Sequence, residues 1–235
     1  MNNLKPNWNV SGSVKVLVTT KDFNNRKNFN VSYGHDKSIG VKDNINSLKE
    51  SFLPSYPSFV KQVHGTKIIN IDEEDHSYVA DGIITQQKNK VIAIKTADCI
   101  PVIISSLCGS TICILHVGRK GLEFNIIKKA YNILKDFRLS YEAWIGPCIS
   151  KNYYYVNSNI KDNFEEIDKR LLDFFERKGD LFSMDLVGIA SLQLLDCNIS
   201  NIFYSGFCTV KNKDLFFSHR GFSDKERFGT FVWTE

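Results

Sequence analysis

Short runs of β-branched and other apolar residues recur along the chain, and several of them are apolar at consecutive positions. A strand with one face in water alternates apolar and polar residues, whereas a strand covered on both faces is apolar throughout. The runs therefore predict sheets that are packed between other layers. The predicted strands are Val14–Thr19, Lys67–Ile71, Val91–Lys95, Val102–Ile104, Ile112–Leu115, Ala143–Ile145, Ile202–Tyr204 and Phe228–Trp233.

Three stretches carry apolar residues at helical spacing and predict helices between these strands. They run from Leu122 to Phe137, from Ile160 to Phe174 and from Leu186 to Leu194, and Asp185 is expected to cap the third helix. Strands dominate the first half of the chain, and two of the helices fall in the second. We therefore predict an α/β or α+β fold with mixed sheets rather than strict βαβ alternation.

No linker or repeat divides the chain, so residues 1–235 are expected to form a single domain.

The composition excludes two classes of partner. The net charge is only +4 and the basic residues are scattered, so no nucleic acid is expected to bind. The most apolar stretch, 100–117, contains Pro101 with three serines, a glycine and a threonine, and predicts two strands around a turn rather than a membrane span. Six widely spaced cysteines and an N-terminus without a leader pattern predict a cytoplasmic protein with free thiols. A monomer is expected.

His64, Cys99 and His116 each lie where a short loop meets an apolar, strand-like run. Two imidazoles and a thiolate are a normal ligand set for a catalytic zinc, which takes three protein ligands and keeps a fourth position open. The intervals of 35 and 17 residues match no local zinc motif, so spacing alone leaves open whether the three residues meet. Taken singly, each has an ordinary interpretation as a surface or core histidine or a buried, inert thiol. His35 and His76 lie in polar stretches and are expected to be exposed rather than ligands.

The chain also carries an ordered set of short segments that resembles a known family. The tail, Phe216–Arg220 followed by Arg227–Gly229, is similar to the closing motif of that family. Together the segments resemble the YfiH-type family, which is also described as the polyphenol oxidase or laccase-domain family, over nearly the whole chain. The segments before the tail are Gln62–Gly65, Ala80–Gly82, Thr96–Val102 and Ile145–Ile149.

The resemblance implies layered mixed sheets and helices, akin to cysteine-hydrolase-like toxin domains, and a zinc site at His64, Cys99 and His116. Members are described as purine nucleoside phosphorylases that cleave adenosine, inosine and methylthioadenosine with phosphate, with adenosine deaminase activity besides. Bacterial members are also linked to peptidoglycan editing, the removal of a mis-incorporated L-serine from a UDP-MurNAc precursor. The laccase label requires several copper sites, for which five histidines and two methionines are too few, so copper is not expected.

Four positions depart from the family pattern. Arg119 and Lys120 stand where the family has tryptophan and arginine, Lys21 replaces an N-terminal arginine, and His219 replaces the closing tyrosine. Lysine is a point charge that cannot reproduce the bidentate contacts of arginine, so anion binding and specificity are expected to differ. Lys21, Arg119, Lys120 and Arg220 are the expected phosphate-binding residues, helped by amide groups at the start of the following helix.

Two catalytic schemes use the same residues. In the first, a zinc ion is held by the three ligands, and Asp98 orients a ligand histidine or a substrate hydroxyl, unless it only caps a turn. In the second, Cys99 is the nucleophile and His116 the base of a metal-free hydrolase, which would suit an amidase-type, peptidoglycan-editing reaction. The zinc scheme is preferred because the residue types match a known catalytic ligand set. A divergent, non-catalytic zinc-binding protein is the third alternative.

Overall fold

A computed structural model of the protein describes Pro6, Trp8 and residues 12–32, 39–73 and 78–235. The strands in these ranges are β1 (Val14–Val18), β2 (Ser58–Phe59), β3 (Ile68–Asn70), β4 (Gly82–Thr85), β5 (Ile92–Thr96), β6 (Ile100–Ser106), β7 (Ile112–Val117), β8 (Tyr141–Ile145), β9 (Tyr155–Val156), β10 (Phe175–Lys178), β11 (Leu181–Met184), β12 (Ile202–Tyr204) and β13 (Phe228–Thr234). The α-helices are α1 (Ile39–Ser51), α2 (Arg119–Glu123), α3 (Ile126–Leu134), α4 (Ser158–Ile167), α5 (Leu186–Leu195) and α6 (His219–Phe222). Turns of 3-10 helix cover Lys135–Phe137, Lys151–Tyr153 and Lys169–Phe174.

The strands form two large sheets and one small one. The larger has six strands in the order β12-β8-β6-β7-β4-β3, the second has four in the order β1-β13-β5-β2, and the small sheet is β10-β11-β9. The pairs β12–β8, β3–β4 and β2–β5 are parallel, and the remaining pairs are antiparallel. Every predicted strand is present, which confirms the prediction of mixed sheets in an α+β fold.

The two large sheets pack face to face because their strands are apolar on both sides. In β7, Ile112 and Ile114 join the core between the sheets, while Cys113 and Leu115 join the core under α3 and α5. In β5, Ala93 faces a third core on the opposite side of the four-stranded sheet, which α1 covers. The layers therefore run α1, four-stranded sheet, six-stranded sheet and the group of α3, α4 and α5.

Two of the predicted helices are interrupted. The helix α2 ends at Glu123, and Asn125, with a φ of 52°, caps α3 through its side chain, so the helix predicted from Leu122 to Phe137 is two α-helices followed by a 3-10 turn. Asp168 ends α4 and caps a 3-10 helix, so the helix predicted from Ile160 to Phe174 is wrong beyond residue 167. Asp185 caps α5 by accepting a hydrogen bond from an amide of the first turn, as predicted. In both cases the apolar residues keep their helical spacing across the interruption. The spacing therefore does not reveal that a capping Asn or Asp separates two helices.

The helix α1 and the small sheet were not predicted. The apolar side chains of α1, among them Val41, Ile45 and Leu48, are separated by polar residues in a weak pattern. The strands β9, β10 and β11 are short and largely exposed, so no run of apolar residues in the sequence indicates them. Within the described ranges, no helix is long and apolar enough to cross a membrane.

Candidate metal centre

The strand pairings bring the three predicted ligands to one edge of the fold. Because β2 and β5 are parallel, the loops that follow them, which carry His64 and Cys99, leave the sheet on the same side. Cys99 immediately precedes Ile100, which pairs with Val117 in the β6–β7 hairpin, and this register sets Cys99 beside His116. His64, Cys99 and His116 therefore converge, as the sequence analysis expected from the family resemblance.

The geometry of the cluster fits a bound metal ion. The ligand atoms of His64, Cys99 and His116 all lie within 4.8 Å of one another, and the two imidazole rings meet edge to face with their centroids 4.7 Å apart. Zinc bonds to nitrogen and sulfur are about 2.0–2.3 Å long, so side-chain shifts of about 1 Å bring all three ligands to one ion. His116 is buried, Cys99 is half-buried and His64 is exposed, which leaves one side of the cluster open to a substrate.

Asp81, which was not predicted to act in the site, positions two of the ligands. Its buried carboxylate lies 2.8 Å from Nδ1 of His116. It also accepts hydrogen bonds from the backbone N–H groups of Val63, His64 and Gly65, at 2.7–3.2 Å. The contact to Nδ1 leaves Nε2 of His116 as the nitrogen available to a metal, which is the usual arrangement of a metal-ligating histidine.

The charges of the cluster support one another. Burial raises the pKa of the Cys99 thiol, but the charge of His116 and hydrogen bonds from both histidines outweigh it and lower the pKa to about 6. Burial lowers the pKa of His116, but the Cys99 charge and a hydrogen bond to Asp81 raise it to about 9. Cys99 is therefore a thiolate near neutral pH, and the thiolate is the form that binds metals and acts as a nucleophile.

The backbone around the ligands is closely packed and locally strained. His64 and Asp98 have φ angles of 58° and 89°, in a region that residues with side chains rarely adopt outside functional sites and tight turns. Gly118 packs against the ligands: a Cβ at this position would lie 3.0 Å from Sγ of Cys99 and 3.1 Å from Cδ2 of His64. A larger residue here would push the side chains of Cys99 and His64 by a few tenths of an ångström, so the glycine favours the close approach of the loop after His116 to the other two ligands.

Asp98 binds the C-terminal segment. Its Oδ1 accepts hydrogen bonds from the hydroxyls of Thr209 and Ser218, both at 2.6 Å, and its Oδ2 accepts one from the backbone N–H of Arg220 at 2.5 Å. These contacts match the alternative in which Asp98 holds a turn. Of the other two roles considered for Asp98, Asp81 rather than Asp98 contacts a ligand histidine, and the orientation of a substrate hydroxyl stays a prediction.

Arg220, one of the four predicted phosphate-binding residues, stacks on a tyrosine, and Arg119 begins α2 just after the ligand His116. The Arg220 guanidinium stacks 4.8 Å from the ring centre of Tyr154. Burial is the main reason that the pKa of Tyr154 is raised, and the charges of Arg220, Cys99 and Arg119 all act on the same phenol. Arg119 also pairs with Glu123. Because α2 is only five residues long, the expected help from its amide groups is small.

The other two predicted phosphate-binding residues are placed differently. Lys120 is exposed on α2. Lys21 forms an ion pair with Asp224 at 3.5 Å and lies over the ring of Phe217. It lines a cavity of about 620 Å³ whose described lining contains none of the three metal-ligand candidates. His35 and His76 lie outside the described residues.

The fold and the cluster define a class: a mixed α+β protein whose His-Cys-His group is suited to hold a metal. The sequence matches, over residues 18–235, the family described as multi-copper polyphenol oxidoreductase laccase. The chain belongs to this family, which is the laccase-domain or YfiH-type family that its motifs resemble.

Curated relatives and solved structures agree with this assignment. A protein of Haemophilus influenzae named purine nucleoside phosphorylase is 28% identical over 245 aligned positions, which cover 100% of both chains. The structure of a Neisseria meningitidis protein superposes with a TM-score of 0.87 at 24% identity, again over 100% of both chains. YfiH of Bacillus licheniformis superposes with a TM-score of 0.85 at 23% identity, over 94% of this chain and 93% of that one. The two solved structures share the fold of this protein.

Proposed function

We propose that this protein is a zinc-dependent purine nucleoside phosphorylase, which cleaves nucleosides such as adenosine, inosine and methylthioadenosine with inorganic phosphate. The observation that carries the proposal is the position of Arg220, whose guanidinium stacks on Tyr154 and whose backbone N–H is bound by Asp98, the residue before Cys99. Guanidinium groups bind phosphate through strong, charge-assisted hydrogen bonds. A metal-ligand cluster suits a reaction that joins phosphate to a polarised nucleoside when cationic side chains are attached to the same loops, as Arg220 is through Asp98 and Arg119 is at the start of α2 after His116. The name of the Haemophilus influenzae relative supports the same reaction.

We propose zinc rather than copper as the metal, held by His64, Cys99 and His116. Imidazole and thiolate ligands suit zinc, and the carboxylate of Asp81 behind His116 is typical of zinc centres. When bound, the ion supplies Lewis acidity to the reacting group of the substrate. A multi-copper oxidase needs several metal sites, whereas this cluster is the one group of three metal-binding side chains in the described ranges.

In phosphorolysis a phosphate oxygen forms a bond to C1′ of the ribose while the bond from C1′ to the purine nitrogen breaks. The purine leaves with a proton, and ribose 1-phosphate is the second product. Arg119 and Arg220 would hold the phosphate; Arg119 uses one guanidinium nitrogen on Glu123 and has further donors. Asp98 fixes the backbone of Arg220, and Lys120 adds positive charge nearby. Lys21, which already pairs with Asp224, is the weakest of the four candidates.

Release of free base from inosine and adenosine by the zinc-loaded protein tests this proposal. Base is expected only when phosphate is present. Arg220→Ala and Arg119→Ala should raise the KM for phosphate by about 10- to 100-fold, the equivalent of one charge-assisted hydrogen bond of about 1.5–3 kcal/mol. Arg177→Ala, which removes an exposed arginine from β10, is the matched control. Base release at the same rate without phosphate would contradict the proposal.

A metal-free cysteine hydrolase is the second candidate, and the lowered pKa of Cys99 beside His116 favours it. Cys99 would attack an amide carbonyl, His116 would give a proton to the departing amine, and water would then release the acyl group. Such a reaction fits the removal of L-serine from a UDP-MurNAc precursor. Chelation separates the two candidates, because it should abolish phosphorolysis and leave thiol catalysis intact.

Two further alternatives belong to the same site. Adenosine deaminase activity would appear as inosine and ammonia formed from adenosine without phosphate. A non-catalytic zinc-binding protein would retain the metal and turn over neither nucleosides nor the cell-wall precursor. We also propose that residues 1–235 form a single domain whose fold is akin to that of cysteine-hydrolase-like toxin domains. We further propose that the protein is monomeric and cytoplasmic. Its six free cysteines suit a reducing compartment.

A further inference from the structure

Cys148 and Cys208 face each other across a short parallel β-bridge. The backbone N–H of Cys148 donates to the carbonyl of Phe207 at 3.3 Å, and the N–H of Thr209 donates to the carbonyl of Cys148 at 3.0 Å. These bonds flank Cys208 and place the two cysteines opposite each other. Paired strands are about 4.7–4.9 Å apart, whereas the Cα atoms of a disulfide are about 4.4–6.8 Å apart. The bridge therefore holds the two Cα atoms at a separation that a disulfide accepts.

We propose that Cys148 and Cys208 are a redox-active dithiol, which closes to an intrachain disulfide when the protein meets a low-molecular-weight disulfide. One cysteine attacks a sulfur of the small disulfide, forms a mixed disulfide and releases one small thiol. The second cysteine then attacks the protein sulfur of the mixed disulfide and releases a second small thiol. The two cysteines are oxidised, and the small disulfide is reduced and takes up their two protons.

The surroundings assign different roles to the two cysteines. Cys208 Sγ accepts hydrogen bonds from the backbone N–H and the hydroxyl of Ser150, at 3.4 Å and 3.2 Å, and these contacts fix its orientation. Burial raises the pKa of Cys148, and the neighbouring Cys208 raises it further. Cys208 is therefore the attacking residue and Cys148 the resolving one.

A cavity borders both cysteines. Cys148 and Cys208 are 4% and 7% exposed, but both line a cavity of about 200 Å³. The exposed residues Tyr204 and Gly206 lie at the same cavity, with the apolar side chain of Val187 among its walls. This cavity is lined by a different set of residues from the candidate metal centre.

The disulfide would join two segments that support the metal-ligand loop. Ile149, next to Cys148, donates its backbone N–H to the carbonyl of Asp98 at 3.0 Å. Thr209, next to Cys208, donates its hydroxyl to the carboxylate of Asp98 at 2.6 Å. Since Asp98 precedes Cys99, oxidation would tie together both supports of that ligand.

Oxidised glutathione tests the proposal on the zinc-loaded full chain, in which the metal protects Cys99. A Cys108→Ser background removes the exposed thiol, which would otherwise form a mixed disulfide. Its five remaining thiols should fall to three after oxidation, with a peptide that joins Cys148 to Cys208 in the mass spectrum. In this background, Cys148→Ser should retain glutathione on Cys208 and form no cross-link, whereas Cys197→Ser should cross-link like its parent.

The proposal is overturned by either of two outcomes. The first is five free thiols in the folded protein under conditions that oxidise its denatured form. The second is a disulfide that joins any other pair of cysteines. Both are read from the Cys108→Ser protein itself, so they hold even where Cys148→Ser or Cys197→Ser fails to fold.

Discussion

The carboxylate of Asp81 lies 2.8 Å from Nδ1 of His116, and it also binds three successive amides of the loop that carries His64. A single buried acid thus sets the positions of two of the three candidate ligands. Its pKa is lowered, because His116 and the amides outweigh the effect of burial, which acts in the opposite direction. Asp81 is therefore a charged group in the folded protein over the whole neutral range.

Replacement of Asp81 by asparagine should weaken zinc binding. In the wild type, both oxygens of Asp81 face hydrogen-bond donors. In the variant an N–H₂ group replaces one of these oxygens, so the loop with His64 and the ring of His116 lose a shared acceptor. Loss of such a partner typically costs about 10- to 100-fold in metal affinity. Competition with a chelator of known affinity measures this change on the purified Asp81→Asn variant.

Asp72→Asn is the matched control for this variant. The Asp72 carboxylate accepts hydrogen bonds from the Thr85 hydroxyl at 2.5 Å and from the backbone N–H of Gln86 at 2.6 Å. These contacts lie at the end of β4 that is opposite to Asp81. Its loss should lower the free energy of unfolding and leave zinc affinity unchanged. Equal losses of zinc affinity in both variants would show that Asp81 acts only through general stability.

Gly118→Ala should disturb the metal centre without unfolding the protein. The added Cβ would lie 3.0 Å from Sγ of Cys99, closer than ordinary van der Waals contact, so the ligands must move by a few tenths of an ångström. We expect zinc affinity to fall by about tenfold, the scale of one disturbed ligand contact. Gly40→Ala, where a Cβ meets nothing within 4 Å, should bind zinc like the wild type. Zinc affinity within twofold of the wild type in Gly118→Ala would contradict the placement.

The proximity of two of the three ligands is consistent with the strands predicted from the sequence, although spacing alone left open whether the three residues meet. The apolar runs around residues 102 and 114 predict a hairpin, and an antiparallel hairpin brings Cys99 close to His116. The position of His64 does not follow, because it depends on the parallel pairing of β2, a strand of two residues, with β5. No periodic pattern of side chains specifies such a short pairing, so the residue types made His64 a candidate and only the family resemblance predicted that it meets the other two ligands.

The residues missed by sequence reasoning act through long-range contacts. Asp81 is 35 positions from His116, and Tyr154 is 66 positions from Arg220, so neither contact has a local signature. An acid directly before an apolar strand was the available signal for Asp81, since a carboxylate at such a buried position needs several donors. Tyr154 lies in an exposed, polar stretch that carries no comparable signal.

Cys99 in the metal-free protein should react with iodoacetamide at a lower pH than an ordinary thiol. Only the thiolate reacts, and the neighbouring His116 holds the pKa of Cys99 at about 6. The labelling rate should therefore rise through a midpoint near pH 6, and peptide mapping separates it from the exposed Cys108. His116→Gln should move the midpoint upward, and zinc should block the labelling. A midpoint above pH 8 in the metal-free wild type would contradict the thiolate assignment.

Lys95 should make the stability of the protein rise with pH. It is 8% exposed on β5, and burial, with repulsion from Arg227 as a second cause, lowers its pKa to about 8. An unfolded lysine titrates near 10.4, so between pH 8 and that value the unfolded chain binds more protons than the folded one. The contribution of Lys95 to the free energy of unfolding therefore increases by about 3 kcal/mol over this interval and is constant below pH 8.

The difference in unfolding free energy between Lys95→Met and the wild type isolates this effect, because other groups that titrate in the same range are common to both proteins. The free energy of unfolding of Lys95→Met should exceed that of the wild type by the largest margin below pH 8. This margin should shrink by about 3 kcal/mol by pH 10.5. Urea denaturation at pH 7.5, 9 and 10.5 measures the difference. The exposed Lys88→Met should show a constant difference across the same range. A constant difference in Lys95→Met as well would mean that Lys95 keeps its ordinary titration in the folded protein.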